Sequence, residues 1–280
     1  MKQILKSRET QWDTELGGYF PGERAVLHGK DLFSELKDLE WMEFLIFGVC
    51  GRMPDKKQAR LLSNVWTLCA SYPDPRLWNN RVGALAGVAR STGSLGISAG
   101  IAVSESTVYG HATLISSSKL LLELKQRVDG GENLAKILKD KILERPMNAR
   151  PSSGKMRKPS VLSGFGRPVS KREERIAPLM AAASELGFAN GPMVTLAFEV
   201  EATLLELGLR TAYLNAGGLI SALFCDQGFS LREQYYLSVL QHSACVTFCA
   251  ADAAKHREGS FFPLCCEQIK YNGKPPRKWR

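Results

Sequence analysis

The stretch Ser163-Gly164-Phe165-Gly166-Arg167-Pro168-Val169-Ser170-Lys171 joins a glycine-flanked aromatic residue to two basic residues at the start of a predicted helix. That helix is expected over Ser170–Leu186, because Gly187 is a typical C-terminal stop. Positions 136–175 around the stretch hold twelve Lys and Arg residues and four Asp and Glu residues, which gives +8 of the formal net charge of +9. Such an excess favours a polyanionic partner: nucleic acid, an anionic membrane or a phosphorylated small molecule.

The basic loop 145–160 lies just upstream of this stretch. Its centre, 146–159, contains Asn, Ser, Gly and Pro residues and lacks periodic apolar residues, so we expect an exposed loop. Two interpretations remain open for it, a solvated basic loop and a polyanion-binding loop. The sequence contains no zinc finger, RNP-like aromatic motif or heptad-backed basic helix, so no motif favours nucleic acid as a partner.

The composition is that of a globular protein. The 280 residues are 44% apolar and 23% charged, which excludes wholesale disorder and allows one large domain or two coupled domains. We find no run of about 20 apolar residues and no apolar segment near the N-terminus, so we expect neither a membrane span nor a secretory signal. The seven cysteines, without a CxxC pair, indicate a reduced cytoplasmic protein that uses thiols as core residues.

Helical periodicity dominates the chain and predicts an all-α protein of about ten helices. The predicted helices cover 31–47, a segment after the N-cap Asp55, 80–91, 96–104, 111–128, 133–143, 170–186, 192–207, 211–225 and 230–255. Alternating strand patterns are almost absent. The fold class expected from these patterns is therefore a packed assembly of helices.

Four groups of residues follow one another in a characteristic order. They are Ala25–Leu32 with Gly51-Arg52-Met53-Pro54, then Ser106–Ala112, then Ser163–Lys171 followed by Arg175, and finally Pro263 with Tyr271-Asn272-Gly273. In this order and spacing, from about Glu23 to Arg277, the chain resembles citrate synthase, especially its short relatives such as citryl-CoA lyase.

The resemblance implies an all-α homodimer with an inserted smaller helical domain. The large domain would comprise 1–109 and 221–280, and the small domain 110–220 would contain the basic loop 145–160. A CoA thioester would be the substrate, with no tightly bound cofactor, no metal and no membrane. The resemblance places the CoA-binding residues at Gly164, Phe165, Gly166 and Lys171, and the negative charges of CoA suit the basic segment.

Citrate synthase removes a proton alpha to a thioester, which requires a carboxylate base and donors that stabilise an enolate. At the family's positions for the base Asp and the two catalytic His, this chain has Gly217, Tyr109 and Arg167. No Asp or Glu lies between Glu206 and Asp226, so ordinary citrate synthesis is not expected. Donors without a base suit polarisation, decarboxylation or cleavage better than alpha-deprotonation.

The candidate site residues carried over from the resemblance form two sets. The catalytic candidates are Tyr109, His111, Arg167 and His242, and the substrate-carboxylate candidates are Arg175 and Arg167. His242 falls at a family substrate Arg, and Phe262 falls at the Arg of the partner subunit. His111 would replace the lost His if the loop shifts by two residues; alternatively, it is a structural histidine at a helix start.

Two other cysteine-containing groups have simpler interpretations. His242, Cys245, Cys249 and Asp252 share one face of the predicted helix 230–255, but one straight helix cannot enclose a tetrahedral metal, so we expect buried thiols there. Cys265-Cys266 is interpreted as interface packing.

The leading function is an enzyme acting on a CoA thioester or related carboxylated substrate, forming or cleaving a C–C bond with chemistry altered from citrate synthesis. The alternatives are a catalytically silent CoA- or metabolite-binding relative and, more weakly, a basic nucleic-acid binder.

Overall fold

The computed structural model describes residues 13–106, 109–143, 162–167, 172–260, 266–268 and 270–274. Within these residues the architecture is mostly helical, which confirms the predicted class. The helices are α1 Trp41–Cys50, α2 Lys56–Cys69, α3 Trp78–Val88, α4 Gly93–Ser104, α5 His111–Asp129, α6 Leu134–Leu143, α7 Ile176–Leu186, α8 Pro192–Glu206, α9 Ala216–Asp226, α10 Leu231–Ser238 and α11 Ser243–Ala253, with a 3₁₀ turn at Cys266–Gln268.

A small antiparallel sheet precedes the first helix. Its strands are β1 Gly17–Phe20, β2 Arg24–Leu27 and β3 Lys30–Asp31, in the order β1-β2-β3. The helix predicted from Asp31 was therefore wrong in its first ten residues. The Asp31 carboxylate accepts hydrogen bonds from the backbone N–H groups of Phe33 and Ser34, both at 2.9 Å, and so stabilises a turn in place of a helix.

The helix predicted over 230–255 is two helices, α10 and α11, separated by a turn at 239–242. In that turn the buried Gln241 amide donates a 2.8 Å hydrogen bond to the carbonyl of Cys69. This tertiary hydrogen bond stabilises the turn that interrupts the helix. Because His242 precedes α11, it does not share a continuous helix face with Cys245 and Cys249, and that prediction was wrong.

Two short strands, β4 Glu105–Ser106 and β5 Tyr109–Gly110, pair immediately before α5. At Gly110 the backbone has φ +83°, and an added Cβ would lie 1.6 Å from the Ser104 carbonyl oxygen. Only glycine fits such a close approach, so the entry into α5 is sterically fixed.

The chain divides into two compact units. Unit 1 comprises residues 1–71 and 104–242, and its core is centred on α9, against which α5 and α8 pack. In the same unit α7 packs on α2, and α10 packs on α5 and α1.

Unit 2 comprises residues 72–103 and 243–280 and contains α3, α4 and α11. Gly83 and Gly87 bring α3 close to α11, since added Cβ atoms would lie 2.5 Å from the Val246 carbonyl oxygen and 2.2 Å from that of Ala250. The predicted boundaries at 109/110 and 220/221 stay predictions. None of the helices within the described ranges combines the length and hydropathy of a membrane span.

Candidate functional site

Three aromatic side chains that the sequence singles out meet in unit 1. Tyr109 lies in β5, His111 is the first residue of α5, and His242 closes the turn after α10. The His242 ring centroid lies 5.4 Å from that of Tyr109 and 5.2 Å from that of His111. The structure therefore brings three of the four catalytic candidates together in one cluster, which we call the His–Tyr cluster.

Both histidines of the cluster are strongly desolvated. His111 is 1% exposed and His242 is 8% exposed. The pKa of His242 is lowered to about 3, mainly by burial and to a smaller extent by electrostatic interaction with His111 and Arg175. Burial also lowers the pKa of His111, against a smaller opposing effect of Glu105. Both imidazoles are consequently neutral at pH 7.

Each imidazole keeps one ring nitrogen without a hydrogen-bond partner among the described residues, Nε2 of His111 and Nδ1 of His242. A backbone hydrogen bond with Val239 raises the pKa of His111, which is the effect of a carbonyl acceptor. We assign it to Nδ1–H, since Nε2 is unpartnered. Neutral His111 then presents the lone pair of Nε2 as an acceptor.

The phenol of Tyr109 is anchored by a residue that the sequence analysis missed. Its Oη lies 3.0 Å from Oγ of Ser71, which follows α2 with φ +89°. Such a φ is unusual for a non-glycine residue and frequently accompanies functional positions. No sequence signal separates Ser71 from other polar residues that follow a helix.

The two candidate arginines share a buried carboxylate that sequence analysis counted only as an acidic charge. Glu173 accepts two hydrogen bonds from Arg175, at 2.7 Å from Nε and 3.1 Å from Nη2. Nε of Arg167 lies 3.3 Å from the same carboxylate, and its Nη1 pairs with Glu174. We call Arg167, Glu173, Glu174 and Arg175 the Arg–Glu group. The i, i+6 and i, i+2 spacings of the two pairs that Glu173 makes are not those of neighbours on a helix face, so no helical periodicity predicts them.

The Arg–Glu group and the His–Tyr cluster act on each other electrostatically. The Arg175 charge contributes to the low pKa of His242. Burial raises the pKa of the Cys69 thiol to about 11, and smaller electrostatic effects of Arg175 and Glu173 respectively lower and raise that pKa. Because charges act more strongly inside a protein than in water, the effect of Arg175 on both His242 and Cys69 places the two groups in one electrostatic environment in unit 1.

The Gly164-Phe165-Gly166 turn packs on the segment that precedes α9. The Asn215 N–H donates to the Gly164 carbonyl at 2.9 Å, and its side-chain amide donates to the Gly166 carbonyl at 3.0 Å. Phe165 is 1% exposed and belongs to the core, so its ring positions the turn. Lys171, the other predicted CoA-binding residue, lies outside the described residues, as do the basic loop 145–160, Phe262 and Cys265.

The position expected for a base is occupied by Gly217, in the first turn of α9. Asn215 caps this helix by accepting a 3.0 Å hydrogen bond from the N–H of Gly218. A Cβ added at Gly217 would find, within 4 Å, the Asn215 Oδ1 at 3.3 Å. The position therefore has room for a side chain but supplies no proton acceptor.

This arrangement defines the chemistry available to the site. Two neutral imidazoles, a phenol and two guanidiniums can donate hydrogen bonds to oxygen atoms, and the imidazole lone pairs can accept a proton. In the Arg–Glu group both carboxylates are bound by guanidiniums. The residues described here thus favour polarisation and proton transfer from a hydroxyl over proton removal from a carbon acid.

The helical architecture, with the Gly-Phe-Gly turn set against the start of α9, is that of the citrate synthase fold. The solved structure of citryl-CoA lyase from Hydrogenobacter thermophilus superposes with a TM-score of 0.78 at 16% identity, covering 96% of this chain and 97% of that chain. The resemblance found in the sequence is therefore confirmed at the level of the fold.

Larger proteins contain the same fold as a part. ATP citrate lyase from Methanothrix soehngenii, solved with citrate and coenzyme A, matches with a TM-score of 0.70 at 16% identity, over 98% of this chain and 44% of that chain. Citrate synthase from Thermotoga maritima matches with a TM-score of 0.59 at 20% identity, over 87% and 60%. No protein-family model matches the sequence, and no curated protein matches it by sequence.

Proposed function

We propose that this chain is an enzyme that cleaves a C–C bond in a carboxylated acyl-CoA thioester such as citryl-CoA. The observation that carries the proposal is the His–Tyr cluster beside Arg175, in a fold shared with citryl-CoA lyase over nearly the whole length of both chains. Arg175 would bind a substrate carboxylate, because a guanidinium suits planar bidentate recognition of carboxylates.

The residues at the family's catalytic positions indicate which proton transfers the site can support. Synthesis begins with proton removal from the carbon next to a thioester, and Gly217 provides no base for it. Cleavage begins at the substrate hydroxyl, whose proton passes to the unpartnered Nε2 of His111. The electron pair of the breaking C–C bond moves to the thioester as an enolate, a water molecule protonates the enolate carbon, and the imidazolium releases its proton to the resulting hydroxide.

Two hydrogen-bond donors stabilise the developing enolate oxygen. Tyr109 donates through its phenol O–H, and Arg167 carries a permanent charge but cannot exchange a proton. Arg167 therefore acts as an electrostatic stabiliser, whereas His111 moves the proton. At the CoA end, support comes from the Gly164-Phe165-Gly166 turn and from Lys171, which stands at the family's position for a CoA phosphate.

The test is release of acetyl-CoA and oxaloacetate from citryl-CoA by the full-length chain. The His111→Gln variant should lose most turnover. The matched control is Tyr236→Phe, which alters an exposed tyrosine on α10 and should not affect the rate. No cleavage of citryl-CoA by the wild-type chain, with intact binding of CoA, would reject the lyase proposal.

A catalytically silent CoA- or metabolite-binding relative is the second candidate. It is favoured by the Arg–Glu group, in which Glu173 and Glu174 already pair with both guanidiniums. Salt-dependent CoA binding without turnover of any acyl-CoA would support this candidate. The predicted homodimer and cytoplasmic location stay predictions, to be checked by light scattering and by imaging of a tagged chain.

A further inference from the structure

The Gly164-Phe165-Gly166 turn is joined to residues 213–215 by a short antiparallel bridge, in which Phe165 pairs with Leu214. Two backbone hydrogen bonds flank this pair, at 2.6 Å between Gly166 N–H and the Tyr213 carbonyl and at 2.9 Å between Asn215 N–H and the Gly164 carbonyl. In a pair flanked in this way, the N–H and C=O groups of each residue point away from the partner strand. The Leu214 N–H therefore faces away from the turn.

A carboxylate from α8 accepts this outward-facing N–H. Glu201 lies within α8, and its Oε2 accepts the hydrogen bond of the Leu214 N–H. In a larger sheet, the carbonyl of a third strand would take this place. The carboxylate provides a charged acceptor instead, which makes a stronger hydrogen bond than a carbonyl does. Leu214 is 1% exposed, so water has little access to replace the carboxylate.

The turn depends on this support because of its composition. Gly164 and Gly166 have φ of +89° and +85°, and glycine has the greatest backbone freedom when it is not held by its surroundings. The ring of Phe165 lies in the core at 1% exposure, so the turn can present only its backbone to a ligand. Backbone groups bind a ligand well when their position is fixed in advance. The bridge to 213–215 therefore determines how well the turn can bind.

We propose that Glu201 is a positioning residue of the CoA site, and that its carboxylate fixes 213–215 and thereby the backbone of the Gly164-Phe165-Gly166 turn. This inference rests on the proposed function, which places CoA at the turn, and adds a residue on α8 that acts through the turn. Without the carboxylate, the turn samples positions that do not bind CoA. The apparent affinity then falls in proportion to the fraction of molecules that remain competent to bind.

The experiment compares Glu201→Ala with Glu199→Ala in the full-length chain. Glu199 is an exposed residue of the same helix, so its substitution changes the net charge and the helix composition equally. Isothermal titration calorimetry should show CoA binding about tenfold weaker in Glu201→Ala. The affinity of Glu199→Ala should stay within about 1.5-fold of wild type at physiological salt. Glu201→Gln keeps an acceptor oxygen of the same reach without the charge, and should lose only about threefold.

Two further measurements separate positioning from a general loss of folding. The amide hydrogens of Leu214 and Gly166, followed by NMR, should exchange about tenfold faster in Glu201→Ala. With citryl-CoA as substrate, KM should rise while kcat stays near wild type, because the His–Tyr cluster is unchanged. A variant that is only less stable would lose active enzyme, which lowers kcat and leaves KM unchanged. If Glu201→Ala does not fold, as judged by circular dichroism, Glu201→Gln and Glu199→Gln provide the same comparison.

Three outcomes overturn the inference. They are equal CoA affinities of the Glu201 and Glu199 variants, unchanged amide exchange at Leu214, and no binding of CoA by the wild-type chain. Turnover of citryl-CoA is measured separately. Cleavage with a CoA affinity that ignores Glu201 would reject the inference alone, whereas Glu201-dependent CoA binding without cleavage would reject the lyase proposal alone.

Discussion

The imidazole rings of His111 and His242 lie 5.2 Å apart in the buried part of unit 1, and each keeps a nitrogen without a partner among the described residues. The groups that face them are Tyr109, Tyr235, Glu105 and Arg175. Of these, Glu105 favours protonation of His111 and Arg175 opposes protonation of His242. Protonation of this buried pair at low pH should therefore affect both the stability of the chain and the function of the site.

We expect the free energy of unfolding to fall as the pH drops below about 6.5. The pKa of His242 is about 3 in the folded chain and about 6.5 when unfolded, so the unfolded state binds the proton first. The stability is fully present above the unfolded pKa and is lost at up to about 1.4 kcal/mol per pH unit toward the folded pKa. Urea unfolding between pH 7 and 4.5 measures this loss.

The His242→Gln variant should flatten that pH dependence, whereas the exposed His256→Gln should preserve it. Equal slopes for wild type and His242→Gln would contradict the buried neutral state of His242.

We predict that the two acids that pair with Arg167 contribute very differently to the free energy of unfolding. Glu173→Gln should lower the free energy of unfolding by about 3–5 kcal/mol, because it leaves two guanidiniums beside a buried neutral amide. Glu174→Gln should change it by less than about 1 kcal/mol. Chemical denaturation of both variants at pH 7 measures the two changes. Similar losses of unfolding free energy in the two variants would contradict the prediction that the buried Glu173 contributes more than the exposed Glu174.

The Gly164 position should not tolerate alanine. Its φ is +89°, and an added Cβ would lie 2.3 Å from Ser117 Oγ and 3.0 Å from Gly218 Cα. We expect a loss of about 2–5 kcal/mol from backbone strain and overpacking together. Gly131→Ala is the control, since Gly131 also has φ +89° but no atom within 4 Å, and should lose about 1–2 kcal/mol. Thermal unfolding of both would show whether the close packing matters.

Tyr109→Phe should separate catalysis from folding. The variant loses the Oη contact with Ser71, which is worth about 1 kcal/mol of stability. If the phenol stabilises an enolate, citryl-CoA turnover should fall about a hundredfold or more. Ser71→Ala removes the same contact but keeps the phenol, so its turnover should remain near wild type. An equal loss of turnover in both variants would assign Tyr109 a structural role only.

The Gly217→Asp variant should fold and should gain the ability to remove a proton from the methyl group of acetyl-CoA. The position lies in the first turn of α9, where an acidic residue is favoured by the helix dipole by about 0.3–1 kcal/mol. We expect exchange of the acetyl-CoA methyl protons in D₂O, followed by NMR, in Gly217→Asp but not in Gly217→Asn. Absence of exchange in the Asp variant would mean that position 217 does not face the thioester.

The helices of this chain were largely predictable from local patterns. The periodic apolar residues with Pro192, Gly187 and Gly208 placed both ends of α8 and the C-terminal end of α7 within one residue, whereas α7 begins at Ile176, six residues after its predicted start. The sheet at residues 17–31 was missed because its strands have four, four and two residues and are largely exposed, which leaves little alternation to detect. The break between α10 and α11 depends on the contact of Gln241 with Cys69, which is distant in sequence.

The candidate site was predictable only in part, because some of its contacts join residues that no local pattern in the sequence connects. The motif order identified Tyr109, Arg167 and Arg175, because residue type at a spaced position is a sequence property. The roles of Ser71 and Glu173 arise from tertiary contacts, and no local pattern specifies them. The sequence likewise could not state that Glu174 would pair with Arg167.

The charge balance of the Arg–Glu group has a kinetic consequence. Its two arginines and two glutamates cancel, so the +8 of positions 136–175 is carried entirely by the other charged residues of that segment. Long-range attraction governs how fast an anion arrives, whereas short-range contacts govern how long it stays. Ionic strength should therefore slow the association of an anionic ligand while leaving its residence time nearly unchanged.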